Sequence, residues 1–282
     1  MSVWKGLTAI ICSHLNREYG NKRKEYISYM LNSLKKGTML PGKVVISYTS
    51  KIGPLEISEE YPFTVQIINR GLKMAQMCQL LINIYEEEVG TYILLLDDDD
   101  LCSPNLVQRN YENWIKNNEP SLFYFQSGTT EGFGDERDHT ATEFNNDWSF
   151  RDALGLFKVD YGGSCCSLKV LKFYFKTIIW RCYNINLSAS DVLLYRLGSI
   201  EVIDMTIDGD YYSENPSVID MVPDKKITKV KISEMLYFRR RWRSTKERLG
   251  CKYTVPEFIE KLKTEAARKK ELYLEYKKLT DF

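Results

Sequence analysis

Four consecutive carboxylates, Asp97, Asp98, Asp99 and Asp100, directly follow the apolar run Tyr92-Ile93-Leu94-Leu95-Leu96. Acids this close repel one another, so a folded chain keeps them together mainly where a cation offsets the repulsion. A hard divalent ion would accept their oxygens and still leave coordination positions for diphosphate oxygens. The plainer alternative is the start of an acidic helix, with Asp100 and Ser103 capping and the other acids solvated. Capping needs one acid where this chain supplies four. Chemistry of this kind points to a metal-dependent transferase acting on nucleotide-activated substrates.

The elements that would position these acids can be followed along the chain. Leu7 to Cys12 reads as a short buried strand, followed by a basic turn around Asn16-Arg17 and Lys22-Arg23-Lys24. Tyr26, Ile27, Met30, Leu31 and Leu34 recur at helical spacing until Gly37 and Pro41 stop the pattern. Val44 to Ile46 and Phe63 to Ile68 read as strands, and Leu72 to Val89 as a helix with Gly90 as its C-cap. The strand at Tyr92 to Leu96 then delivers the aspartates, and Ser103-Pro104 opens another helix. This alternation predicts an α/β fold, a Rossmann-like doubly wound and mostly parallel sheet with flanking helices. At the carboxyl end of such a strand the acids face the crevice where open α/β sheets bind ligands.

The second half is less regular. Leu122 to Gln126 reads as a strand, and Ser127 to Asp152 as a long polar loop of the kind that often covers a substrate. Tyr161-Gly162-Gly163-Ser164 begins a further strand, and Ser188 to Leu197 reads as a helix. Beyond Lys225 basic residues exceed acidic ones by about ten, and a Thr254-x-x-Glu257 capping box starts an amphipathic helix. The expected organisation is a catalytic domain over 1–225 and a basic helical C-terminal extension over 226–282. Within the domain, 1–115 forms a nucleotide-binding half and 116–225 an acceptor-binding half.

The 282 residues suit one large α/β domain with an extension, and 44% hydrophobic residues supply a sizeable core. A formal charge of +1 gives no argument for nucleic acid or an anionic membrane as partner. No apolar run reaches the roughly 18 residues of a membrane span, and the amino terminus does not resemble a signal peptide. Seven cysteines lack metal-type spacing. The reading is a soluble protein in a reducing, cytoplasmic setting, the host cytoplasm if the source is viral.

Several segments together resemble the GT-A fold glycosyltransferases, most closely the inverting family 2. Ile10-Ile11-Cys12-Ser13-His14-Leu15-Asn16-Arg17 resembles the first element of that family. Asn69-Arg70-Gly71, followed by Lys73, Ala75 and Gln76, resembles the segment before the DxD strand. Tyr92 to Leu101 with Pro104 resembles the DxD block itself, and Gly162-Gly163-Ser164 the acceptor-side glycine turn. Ala189-Ser190-Asp191-Val192-Leu193-Leu194 resembles the later segment that carries the catalytic base. The likeness spans roughly residues 5–210. Soluble members of the family occur in bacteria and in large DNA viruses.

The resemblance implies a hexosyl- or pentosyltransferase using a nucleotide sugar, expected to be a UDP-sugar, with Mn2+ or Mg2+, in glycan biosynthesis. It places Ser13, His14, Asn16, Arg17, Tyr48, Thr49, Lys73, Gln76, Asp97 and Asp98 on the donor, and Asp97 and Asp99 on the metal. Asp191 would be the base, or else a helix-start acid that complements the macrodipole. Glu131, Asp135, Trp148, Gly163 and Ser164 would meet a glycan acceptor, although a buried anchor explains Trp148 nearly as well. The chain departs from the family pattern at Leu15, where an aromatic usually stacks on the base. It departs again at Ser47-Tyr48-Thr49, which replaces an expected acid, at Ser190, and at Phe238 before Arg239-Arg240-Arg241-Trp242.

Three other readings compete. A catalytically silent nucleotide-sugar or glycan-binding protein would keep the sheet without the role of Asp191. A HAD-type phosphatase needs Thr or Val where Leu101 stands, and a nucleotidyltransferase needs a glycine-rich loop that Cys12 to Gly20 lacks.

Overall fold

The computed structural model describes residues 1–17, 20–72, 74, 76–116, 122–128, 141–145, 163–169, 171–172 and 229–238. They begin with β1 (Ser2–Leu15), α1 (Gly20–Lys35), β2 (Met39–Ser50), β3 (Thr64–Asn69), α2 (Gln76–Glu86) and β4 (Tyr92–Leu96). There follow β5 (Leu101–Cys102), α3 (Leu106–Lys116), β6 (Leu122–Gly128), β7 (Cys165–Ser167) and β8 (Lys229–Phe238). The strands form one sheet in the order β3-β2-β1-β4-β7-β6-β8-β5. β1 pairs in parallel with both β2 and β4, and β2 with β3, while β7 runs antiparallel to β4 and β6. This is the expected α/β architecture with a mostly parallel central sheet.

Strand order fixes where a ligand can go. The chain winds outward from β1 through β2 to β3, then returns to place β4 on the other side of β1. That reversal is a topological switch point, and it opens a crevice at the carboxyl ends of β1 and β4. Leu7 pairs with Tyr92 and Ile11 with Leu96, so both strands reach the crevice together. The strands read as continuous apolar runs because both faces of a parallel sheet are covered. Ile93 to Leu96 are fully buried, as are Ala9 to Ile11 and Val44 to Ile46. At the opposite end Trp4 lies 5.3 Å from Trp114, 5.4 Å from Tyr111 and 5.6 Å from Tyr92, a ring cluster that closes the core under α3.

Several boundaries differ from the sequence expectation. β1 runs on to Leu15, carrying Ser13 and His14 into pairing with Tyr48 and Thr49 of β2. The basic turn expected at Lys22-Arg23-Lys24 is the first part of α1, since Lys and Arg are good helix formers and need no apolar period where the helix meets solvent. α2 is shorter than the 72–89 pattern. α3 starts at Leu106 because Ser103 closes a turn first: its hydroxyl accepts from Asn105 N–H (3.2 Å) and its carbonyl from Leu106 N–H (3.0 Å).

β8 falls inside the segment expected as a helical extension, and it is a strand of the main sheet. Val230, Ile232, Leu236 and Phe238 fall on one alternation, which Glu234 interrupts. The interruption coincides with a bulge: Phe125 pairs with Ile232, whereas the next residue, Gln126, pairs with Met235. Glu234 is turned to the surface partners Arg109 (2.7 Å) and Asn105 (3.5 Å). The terminal helix expected from Thr254 lies outside the described residues, as does the late helix from Ser188.

Cys12, Cys78, Cys102, Cys165 and Cys166 are all free and buried, acting as small core side chains. Among the described residues no helix is long and apolar enough to cross a membrane.

Gly90 serves packing and not helix capping. A Cβ built there would stand 2.2 Å from the carbonyl oxygen of Gly6 and 2.7 Å from its carbonyl carbon. Backbone cannot yield as a flexible side chain does, so Gly90→Ala should lower unfolding stability by about 1–3 kcal/mol. Urea denaturation checks this, and an unchanged midpoint would contradict the close approach of the two segments.

Candidate active site

The acidic run turns at the end of β4, beside the end of β1. Asp98, Asp99 and Asp100 are 3%, 9% and 3% exposed, and Asp97 is half-buried. They are therefore not a solvated helix start, and their proximity must be offset within the fold.

Asp98 shows how. Its two carboxylate oxygens take separate partners: the Ser13 hydroxyl donates to one, and the Arg23 guanidinium pairs with the other. Both side chains are largely withdrawn from water, at 4% exposure for Asp98 and 17% for Arg23. Burial alone would pull the Arg23 pKa down, but the fields of Asp98, Asp99 and Asp97 and the Asp98 hydrogen bond leave it raised. Arg23 is thus held charged against the acidic turn. It stands on α1, whose amino end packs tightly against β1, a Cβ on Gly20 meeting Leu15 backbone at 3.0 Å.

Asp97 is held from two sides. Gln76, in the first turn of α2, donates from Nε2 to its carboxylate at 3.2 Å. The backbone N–H of Asp97 donates to the Tyr237 hydroxyl at 3.0 Å. Tyr237 is fully buried on β8, paired with Cys102 just beyond the acids. Burial first, then the fields of Asp100 and Asp97, push its phenol pKa well up, so the ring stays neutral. Tyr237 is not among the residues that the sequence points to as part of the site. No local signal links it to residues 140 positions earlier.

The ends of β1 and β2 form the other wall. His14 Nδ1 lies 2.8 Å from Thr49 Oγ1, joining two residues expected to face a nucleotide. The fully buried Gln79 ties the strand ends together: Nε2 donates to the Ser13 carbonyl (3.2 Å) while Oε1 accepts from Ser47 (3.0 Å). Asn16 and Arg17 follow β1 as exposed residues. Tyr48 is placed in the core, 3% exposed, with its hydroxyl accepting from Leu55 N–H at 3.1 Å. That burial leaves its ring face committed to neighbouring side chains, so base stacking by Tyr48 would require the core to open.

Gly163 and Ser164 lie where the acceptor-side turn was expected, against the end of β4. Gly163 N–H donates to the Leu95 carbonyl (2.6 Å), and Leu95 N–H donates to the Ser164 carbonyl (2.8 Å). Gly163 has φ of 86°, which glycine adopts without the penalty a side chain brings. Lys73, Glu131, Asp135, Trp148 and Asp191 lie outside the described residues. Arg70 is spent on structure, its guanidinium bonding Asn83 (2.8 Å) on α2 and Glu87 (2.9 Å) just past its end.

The residues present can be tested against a divalent ion. Among the described residues no group of three His, Cys, Asp or Glu side chains is arranged to hold a metal unaided. Ions such as Mg2+ are commonly held by one or two carboxylates, completed by substrate phosphates and water. Asp98 has a partner on each oxygen and Asp97 accepts from Gln76, and the carboxylates of this turn are hard oxygen donors of the kind such an ion takes. Two carboxylates at a ligand crevice fit an ion completed by a diphosphate.

No protein-family model matches the sequence, and no curated protein matches it by sequence. The fold is similar to crystal structures of TarS from S. aureus, a family 2 GT-A glycosyltransferase. Against TarS 1-349 in complex with UDP-GlcNAc the TM-score is 0.52 at 13% identity, covering 93% of this chain and 66% of that one. Against the complex with UDP it is 0.52 at 14% identity, covering 96% and 70%. Against TarS 1-349 alone it is 0.50 at 14% identity, covering 82% and 59%. This chain thus spans 59% of the length of the first of these and 66% of the UDP-GlcNAc complex. At such identity the likeness is one of fold, and the fold is GT-A.

Proposed function

We propose that the chain is a metal-dependent, inverting glycosyltransferase that moves a sugar from a nucleotide-sugar donor, a UDP-sugar, to a hydroxyl of a glycan acceptor. The observation that carries this reading is the buried acidic turn at the switch-point crevice, fixed by Ser13, Arg23 and Gln76. The complexes of TarS with UDP and UDP-GlcNAc, on the same fold, support the choice of donor.

In this reading Asp97 and Asp99 hold the ion and the crevice holds the donor. A bound Mn2+ or Mg2+ supplies Lewis acidity, stabilising the negative charge that develops on the departing diphosphate. His14 and Thr49 line the nucleotide side, with Asn16, Arg17 and Lys73 available to the ribose and phosphates. Asp98, locked by Arg23 and Ser13, keeps the turn rigid while its neighbours bind. The acceptor lies on the side of Gly163 and Ser164, with Glu131, Asp135 and Trp148 contributing contacts to the sugar.

Asp191 is the base. Its carboxylate takes the proton of the acceptor hydroxyl as that oxygen bonds to the anomeric carbon. The bond from that carbon to the diphosphate oxygen breaks on the opposite face, so the configuration inverts and the nucleoside diphosphate leaves with both bonding electrons.

Two experiments test this. In a thermal-shift panel of UDP, GDP, CMP and TDP, UDP should stabilise the protein in the presence of Mn2+ and do little in EDTA. At one hundred times its dissociation constant a ligand adds about 2.7 kcal/mol, and the absence of any metal-dependent shift would refute the donor assignment. In a sugar-nucleotide turnover assay, Asp191→Asn should lose about 10²- to 10⁴-fold in rate while keeping the UDP-dependent shift. Undiminished turnover would remove Asp191 from the reaction.

A further inference from the structure

Arg23 holds Asp98 in the proposed site, and its charge has a further consequence for the acids around it. It lies 75 residues before Asp98 in sequence, on a different element, yet their charged groups meet. Its field reaches Asp99 and Asp97 as well as its direct partner. The α1 amino end adds the partial positive charge of a helix start near the same turn. The acids at residues 97–100 thus sit beside a cation that belongs to the chain.

We infer that Arg23 is the resident counter-ion of the acidic turn, a positioning residue that keeps the turn folded without metal and sets how strongly it attracts one. The inference rests on the proposed metal role of Asp97 and Asp99, and concerns the protein before donor arrives. With Arg23 in place, four carboxylates and one guanidinium leave three formal negative charges. Without it the turn carries four, in a setting with little water to screen them, so a divalent ion gains more by binding there. Arg23 therefore restrains binding of free metal, so that an ion binds well chiefly when diphosphate oxygens complete its shell.

The test compares wild type, Arg23→Gln, Arg23→Lys and the double variant Arg23→Gln/Asp98→Asn, all without nucleotide. In EDTA, Arg23→Gln should melt roughly 10 °C lower, since removing one partner strands a buried charge. Mn2+ alone should recover more of this loss than it adds to wild type. Direct Mn2+ titration, followed by loss of the free-ion paramagnetic resonance signal, should show about tenfold or tighter binding in this variant. Arg23→Lys keeps the charge and should bind Mn2+ as wild type does. The double variant restores three formal charges, so it should fold and bind Mn2+ no more tightly than wild type, even if Arg23→Gln does not fold.

Equal melting of wild type and Arg23→Gln in EDTA would overturn the inference. So would equal Mn2+ affinity across the set, or a double variant that binds the ion as tightly as Arg23→Gln. A UDP arm on wild type separates the two ideas. A UDP shift with Mn2+ but no Arg23 effect leaves the transferase reading standing without this inference. An Arg23 effect without a UDP shift does the reverse.

Discussion

Like charges brought together at the end of a buried strand are the constraint around which this molecule is arranged. Two carboxylates 4 Å apart near a protein surface repel by about 4 kcal/mol at an effective dielectric constant of 20. Here four acids follow one another, and three are less than a tenth exposed. The fold answers with partners drawn from every neighbouring element. Ser13 from β1, Arg23 from α1 and Gln76 from α2 each donate to a carboxylate, while the Tyr237 hydroxyl from β8 accepts from the Asp97 backbone and seats the turn. Each arrives through the sheet order that puts β1 beside β4 and brings β8 up to β5.

What could be read in advance follows from how local each signal is. The β4 segment and its aspartates are contiguous, so the strand, its burial and the turn were legible together. The helical period from Tyr26 to Leu34 marked the core face of α1, and the alternation of strands and helices marked the parallel sheet. Helix starts were less legible. Arg23 looked like part of a basic turn because its partner, Asp98, becomes a neighbour only through the tertiary fold. Tyr48 illustrates the opposite error of emphasis. The resemblance put it on the donor, yet β2 carries it into the core, where Leu55 N–H meets its hydroxyl. β8 stayed hidden because a bulge breaks its period and basic residues crowd the segment around it.

The crevice is built mostly from the ends of regular elements. Ser13, His14, Thr49, Gln76 and Asp97 to Asp99 lie at or beside the ends of strands and a helix start, where backbone pairing fixes the side-chain origin. Gly163 and Ser164 join this set through their backbone bonds to Leu95, which place their turn against β4 itself. Groups held by regular elements keep their geometry better than groups carried on loops. A crevice built this way is preorganised before any ligand enters it.

Tyr237 adds a consequence for how that crevice forms. Its hydroxyl accepts from the backbone of Asp97 across 140 positions of sequence, and its strand pairs with Leu101 and Cys102 immediately beyond the acids. Contacts so distant in sequence carry a loop-closure cost that local turns do not. The half of the chain up to α3 contains β1, β4, Arg23 and all four aspartates, so the electrostatic pairing is available early in sequence. The hydrogen bond that seats the Asp97 backbone is not. Until β8 docks, that N–H lacks the phenol oxygen and the strand after the acids lacks its edge partner. The acidic turn reaches its final shape only when β8 has joined the sheet, which makes the geometry of the crevice a property of more than the first half of the fold.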